Sequence, residues 1–208
     1  MKKTLIFIII IILIFSVGCD AISEALEEYS SQNESASQEA SYDSALYSDM
    51  PTLPSMDFLN LNLFEDGYQI VEFDHAPDGD TAIFLIDGSY VKTRFLGVDT
   101  KEMSTDSGIP EQWAQQAKEF TNDMLENADQ IILELDENSG TFDDYDRLLA
   151  WIWVDGYLLN YMLAARGFAD VKYLYDDYKY NNYLLDVEYL AQNNQYGIWG
   201  DDEPYYDS

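Results

Sequence analysis

Between Asp78 and Glu102 the chain reads DGDTAIFLIDGSYVKTRFLGVDTKE, and its reactive groups sit at the two ends of that stretch. Asp78 and Asp80 stand at one end; Asp99, Thr100 and Glu102 stand at the other, with Arg94 five residues before Asp99. The Asp87-Gly88 dipeptide between them is the commonest signal for a two-residue hairpin turn. If Thr81–Ile86 pairs with Tyr90–Leu96 across that turn, the acidic ends meet on one side. Carboxylates brought that close repel unless a cation lies between them, and an oxygen-only set suits Ca²⁺. An arginine beside a cation is a common device for holding a phosphate. Asp-Gly-Asp alone is ordinary turn chemistry; Asp99 and Glu102 in register with it favour the metal reading. Asp80 is the better ligand, and Asp78 is expected to brace the turn.

Other chemistries lack their residues. The single histidine, His75, and the single cysteine, Cys19, leave no Ser-His-Asp or Cys-His arrangement to build. The stretch from Asp136, DENSGTFDDYDR, begins like a calcium loop but carries Arg147 where the closing Glu belongs, so the EF-hand reading fails. There are three arginines, Arg94, Arg147 and Arg166. Arg166, just before Gly167, is read as structural, capping carbonyls at a helix end.

The stretch resembles the staphylococcal nuclease (thermonuclease) family, and the likeness continues through DYDRLLAWIW, AARGFADVKYLY and GIWG, roughly Tyr68 to Gly200. The resemblance implies that Asp80, Asp99 and the Thr100 carbonyl hold Ca²⁺. It implies that Glu102 positions or deprotonates the attacking water, and that Arg94 and Arg147 bind the phosphate. Tyr145, Tyr173 and Tyr175 fall where the family stacks a base or bonds a phosphate. It further implies hydrolysis of DNA and RNA with little base specificity, leaving 3′-phosphates. Three residues depart from the family's pattern: Lys101 replaces a proline, Asp144 a lysine, and Asp146 a glycine. A non-catalytic module on the same barrel, binding Ca²⁺ or an oligonucleotide, is the alternative; a purely structural surface lipoprotein is the other, and it leaves the two arginines unexplained.

The elements that must position these groups are legible as periods. Tyr68–Phe73 alternates as a strand, the hairpin follows, and Gln130–Leu135 and Leu148–Val154 supply two more strands. Pro110 and Glu111 suit a helix start, with Trp113, Ala117, Phe120, Met124 and Ala128 predicted as its buried face. Leu158–Arg166 and Tyr183–Gln192 read as further helices, the former stopped by Gly167. The fold class expected is α+β, mainly β: a five-stranded OB-type barrel packed with about three helices.

At the start of the chain, Lys2 and Lys3 precede an apolar run from Leu5 to Val17, shorter than the ~20 residues a spanning helix needs. Residues 1–18 read as a signal peptide ending at Cys19, where a bacterial lipoprotein carries its lipid. Ser16 departs from the usual lipobox, and an ordinary signal peptide or an uncleaved anchor is the alternative. Residues 19–66 are read as an acidic tether, with eleven acids and no Lys or Arg between Asp20 and Asp66. Its last part, Pro51–Phe64, is more apolar and suits a lead-in packed on the domain. The domain is placed at 67–200 and an acidic tail at 201–208. A monomer tethered outside the cytoplasm is expected. The full chain carries 40 acids against 10 bases, a net charge of −30, so long-range attraction for nucleic acid is absent. Affinity must then come from bound metal, the two arginines and stacking.

Overall fold

The computed structural model describes residues 47–103 and 111–200. The readings made for the signal peptide, Cys19, most of the tether, Pro110 and the tail fall outside them. Five strands make the barrel: β1 (Tyr68–Asp78), β2 (Thr81–Ile86), β3 (Ser89–Phe95), β5 (Ile131–Glu134) and β6 (Leu148–Val154). They run antiparallel in the order β3-β2-β1-β5-β6, and a parallel pairing of β3 with β6 closes the ring. Asp87 and Gly88 both have positive φ, 49° and 79°, the mirror-image turn whose twist matches a hairpin. Asp155 and Gly156 make the same turn between β6 and the short β7 (Tyr157–Leu158).

The first strand is longer than its alternation suggests. It continues past Phe73 to Asp78 by breaking register with β2 on either side of His75, so extra residues are absorbed without slipping the ladder. His75 is exposed, with its Nδ1 2.6 Å from Asp74 Oδ2. A two-stranded pair that the periods do not reveal, β4 (Val98–Thr100) with β8 (Ala169–Val171), carries the second acidic group.

Among the described residues there are four α-helices: α1 (Leu63–Asp66), α2 (Ala114–Glu126), α3 (Leu159–Ala165) and α4 (Asn181–Asn193). The extra one, α1, is a single turn capped by the Asn62 side chain and stopped by Gly67 at φ 80°. It lies inside the segment read as tether, yet Leu63 is fully buried and Phe58 meets Tyr68 edge to face, so Pro51–Phe64 does pack on the barrel.

Helix α2 is rotated from expectation. Its buried residues are Ala114, Ala117, Thr121 and Leu125; of the predicted face only Ala117 is fully buried, while Trp113 and Phe120 lean half-exposed against Phe168. The reason is close approach. A Cβ at Gly79 would lie 2.7 Å from the Ala117 Cβ and 3.0 Å from its backbone carbon. Small residues therefore face the Asp78-Gly79-Asp80 turn, and Thr121 Oγ1 donates to the Gly79 carbonyl at 2.6 Å. The large side chains are displaced to the flank.

Phe84, Phe95, Ile132, Leu133, Leu148, Trp151 and Trp153 are among the largest fully buried side chains, on the two faces of the barrel wall. Both buried indoles find carboxylates: Trp151 Nε1 donates to Asp136 Oδ2 at 2.9 Å and Trp153 Nε1 to Glu134 Oε2 at 2.7 Å. Buried Asn160 donates to the Leu96 carbonyl and accepts from the Ile152 amide, tying α3 to the residue that follows β3 and to the interior of β6. Gly167 ends α3 at φ 65°, where a side chain would fall 2.1 Å from the Tyr196 carbonyl oxygen.

Candidate active site

Register does the first part of the assembly. Thr81 pairs with Arg94, and the Phe95 amide donates to the Asp80 carbonyl at 2.9 Å, so the β1–β2 turn abuts the far end of β3. Asp80 is buried: its Oδ1 accepts from Thr81 Oγ1 at 3.0 Å and its Oδ2 from the Thr100 amide at 2.8 Å. Asp78 braces the turn, taking the Gly79 amide at 2.9 Å on one oxygen and the Met103 amide at 3.4 Å on the other. The two acidic ends of the hairpin are thus stitched together.

Arg94 is buried beneath them. Its Nη1 donates to the carbonyls of Phe95 (2.9 Å) and Val98 (2.5 Å). Its Nη2 lies 2.8 Å from Asp99 Oδ1 and 3.2 Å from Asp80 Oδ2. The carboxylates of Asp80 and Asp99 therefore converge on one nitrogen. Asp99 Oδ2 is met at 3.0 Å by Lys172 Nζ, which also lies 2.9 Å from Asp170 Oδ2. Hydrogen bonds to Asp170 and Asp99 push the Lys172 ammonium pKa up.

Glu102 is the exposed acid of the group. Burial first, then the charges of Asp78, Asp80 and Asp99, raise its pKa above the ordinary glutamate value; burial and Asp80 raise that of Asp78. A carboxyl displaced upward in a cleft is better matched to taking a proton near neutral pH.

The second arginine comes from the loop before β6. Asp143 Oδ1 accepts from the amides of Tyr145 and Arg147, both at 2.9 Å, and Oδ2 accepts from Arg147 Nε at 2.7 Å. Burial would raise the Asp143 carboxyl, but these hydrogen bonds and the Arg147 charge outweigh it and hold it low. Arg147 Nη1 and Nη2 have no hydrogen-bond partner among the described residues. The guanidinium is fixed by its inner edge, and its outer edge faces the cleft. Asp146, which stands where the family has glycine, has φ 58°, the left-handed region glycine occupies without cost.

A cleft of about 360 Å³ joins these parts; its walls include Arg94, Asp99, Glu102, Arg147, Tyr145, Tyr173 and Tyr175. Asp80 and Thr100 are buried and do not line it; the Thr100 amide donates to Asp80, whose carboxylate meets the cleft-lining Arg94. Tyr145 is 80% exposed and Tyr175 76%, so neither is held by the core. Arg147 lies over the Tyr145 ring at 5.6 Å and Arg94 over Tyr173 at 5.8 Å. Tyr173 has φ 60°, a sharp turn after β8 that swings its ring across the cleft. Tyr178 and Asp143 also line the cleft and Lys172 borders its acids, three residues that single-sequence reasoning passes over. Arg166 lies elsewhere: its Nε donates to the Tyr47 hydroxyl at 2.9 Å and its guanidinium covers Phe120.

The donors are all oxygens, the kind a hard cation takes. The carboxylates of Asp80 and Asp99 converge on Arg94 Nη2, and Thr100 Oγ1 is buried with no hydrogen-bond partner among the described residues. Among the described residues no group of three or more His, Cys, Asp or Glu side chains is placed to hold a metal ion, so water and substrate would have to fill the remaining positions Ca²⁺ takes.

Comparison with known proteins agrees with this geometry. The family described as Staphylococcal nuclease homologue matches residues 92–201, more than half of the chain. A thermonuclease of Staphylococcus hyicus is 31% identical over 138 residues, 66% of this chain and 78% of that protein. A thermonuclease of Staphylococcus intermedius is 33% identical over 122 residues, 59% of this chain and 71% of its own. The endonuclease YncB of Bacillus subtilis is 31% identical over 130 residues, 62% of this chain and 61% of that one.

Proposed function

This chain belongs to the staphylococcal nuclease family, and we propose that it is a calcium-dependent nuclease hydrolysing phosphodiester bonds of DNA and RNA with little sequence specificity. The observation that carries the reading is the meeting of Arg94, Asp99, Glu102 and Arg147 in one cleft rimmed by exposed tyrosines. Asp80, Asp99 and Thr100 would hold Ca²⁺, which supplies positive charge to polarise the scissile phosphate. Glu102 orients a water and takes its proton. Arg147 presents donors to the phosphoryl oxygens, and buried Arg94 adds fixed positive charge below them. Tyr145, Tyr173 and Tyr175 offer faces on which bases of any identity can stack, which suits low specificity.

Purified full chain should cut plasmid DNA with Ca²⁺ and stop in chelator, with Mg²⁺ a poor substitute because it demands tighter octahedral geometry. Full cutting in chelator would remove the metal from the mechanism. The chain's acidity favours a second reading, a binder that holds nucleic acid without turnover. Retention of DNA with Ca²⁺ but no cleavage in that assay would select it.

We further propose that the enzyme acts as a monomer outside the cytoplasm, tethered through a lipid on Cys19. Each buried CH₂ of an acyl chain contributes about 0.8 kcal/mol to anchoring. Cys19→Ser should therefore move the protein from the membrane fraction to the soluble fraction. Unchanged membrane retention would assign anchoring to the apolar run from Leu5 to Val17 instead.

A further inference from the structure

We propose that Lys172 is a tethered counter-cation that occupies the Asp99 carboxylate and must release it when calcium binds, so that it sets the calcium threshold of the site. The inference rests on the calcium reading above and concerns how tightly the metal is held. Asp99 and Asp170 are direct cross-strand partners in the β4–β8 pair, and like charges placed directly opposite destabilise a strand pair. Lys172 Nζ bridges them, 3.0 Å from Asp99 Oδ2 and 2.9 Å from Asp170 Oδ2. Lys101 Nζ adds a longer contact, 3.4 Å, to the same Asp170 oxygen. Arg94 takes the other oxygen of Asp99 at 2.8 Å. Both oxygens of a proposed metal ligand are thus engaged by cations belonging to the protein.

The two cations are not equally free to leave. Arg94 is buried and clamped by two backbone carbonyls, so it stays. The Lys172 side chain is 45% exposed on a flexible four-carbon stem. It also keeps a second acceptor in Asp170, whose strand position is fixed by β4. Two arrangements of one side chain are therefore available: a bridge across both carboxylates, or a single bond to Asp170 with Asp99 turned over to the ion. The ammonium competes with Ca²⁺ for the Asp99 oxygen and repels it at short range.

A counter-ion serving only the strand pair would alter stability and leave calcium affinity alone, which is what separates the two roles. Calcium titration by calorimetry, without nucleic acid, should be run on the purified full chain and on Lys172→Met, Lys172→Arg and Lys101→Met. Lys172→Met, which keeps length and loses charge, should bind Ca²⁺ about tenfold more tightly, a discounted value for a half-exposed pair. Lys172→Arg should stay close to wild type, and Lys101→Met, which loses only an Asp170 contact, should change much less than Lys172→Met. In chelator Lys172→Met should melt below wild type, and Ca²⁺ should abolish that deficit. Affinity of Lys172→Met equal to or weaker than wild type, with wild type binding normally, overturns the proposal and leaves the calcium reading standing. If neither wild type nor Lys172→Met takes up Ca²⁺, the calcium reading falls and this proposal with it.

Discussion

Arg147→Ala is expected to lower turnover about 10²-fold or more while calcium binding persists. The two arginines of the cleft are not equivalent. Arg94 spends its donors on two carbonyls, Asp80 and Asp99, so its removal would disturb the site it supports. Arg147 is held by Nε alone, with the rest of its guanidinium turned to the cleft. It can therefore meet charge that develops on the phosphoryl oxygens without breaking an existing bond. Loss of one such preorganised donor typically costs ~2.7–4 kcal/mol in the transition state. The same change leaves Asp143 without its partner. Because the Asp143 carboxyl is held below its ordinary pKa, its contribution to stability is present above the unfolded value, ~3.9, and is lost as pH falls through the folded one. The melting deficit of Arg147→Ala should thus be evident at pH 7 and fade in acid. Single-turnover kinetics with saturating Ca²⁺ and oligonucleotide provides the measurement; a purely weaker KM at unchanged kcat would demote Arg147 to a ground-state contact.

Glu102→Gln should reduce turnover by roughly 10²–10⁴-fold, the usual worth of a positioned general base, while oligonucleotide retention changes little. It should also leave a signature in the absence of metal. Glu102 and Asp78 have raised pKa values in the folded protein, so the folded state binds more protons than the unfolded one over the window above the ordinary carboxylate range. Stability in chelator should therefore fall as pH rises through that window, and Glu102→Gln should flatten the fall by removing one of the crowded charges. Denaturant melts across that pH range, alongside cleavage rates, test both halves. Unchanged cleavage by Glu102→Gln would assign proton abstraction to another group.

The parts of this molecule that a sequence reader can see are those that local chemistry dictates. Asp87-Gly88 sets its turn locally, and that turn brings Asp80 alongside Phe95, four residues short of Asp99. Leu148–Val154 carries enough apolar residues in a row to be a buried strand in any context. What stays hidden is decided by distant partners. The face of α2 is chosen by the backbone of Gly79, which only alanine at 117 can approach, and no helical period records that. The β4–β8 pair is three residues a side, too short for alternation to register, and its partners lie some seventy residues apart. Lys172 follows from that pairing, since without Asp99 opposite Asp170 there is no reason for a lysine to lie among the acids. Asp143 is similar: its place in DDYDR looks like one more solvated charge until its two oxygens are found holding the Arg147 loop.

The parallel rung that joins β3 to β6, with Arg94 beside Leu149, has a consequence for when the cleft comes into being. Its two strands are separated by more than fifty residues, so the loop they close costs entropy that no local contact repays, and such pairings form late. Until that rung forms, Arg94 and Arg147 belong to separate pieces of chain and share no cleft. Hairpin and helices can be nascent while the cleft is still incomplete. Completion of the cleft is therefore tied to closure of the barrel, so any activity that needs both arginines must wait for that closure.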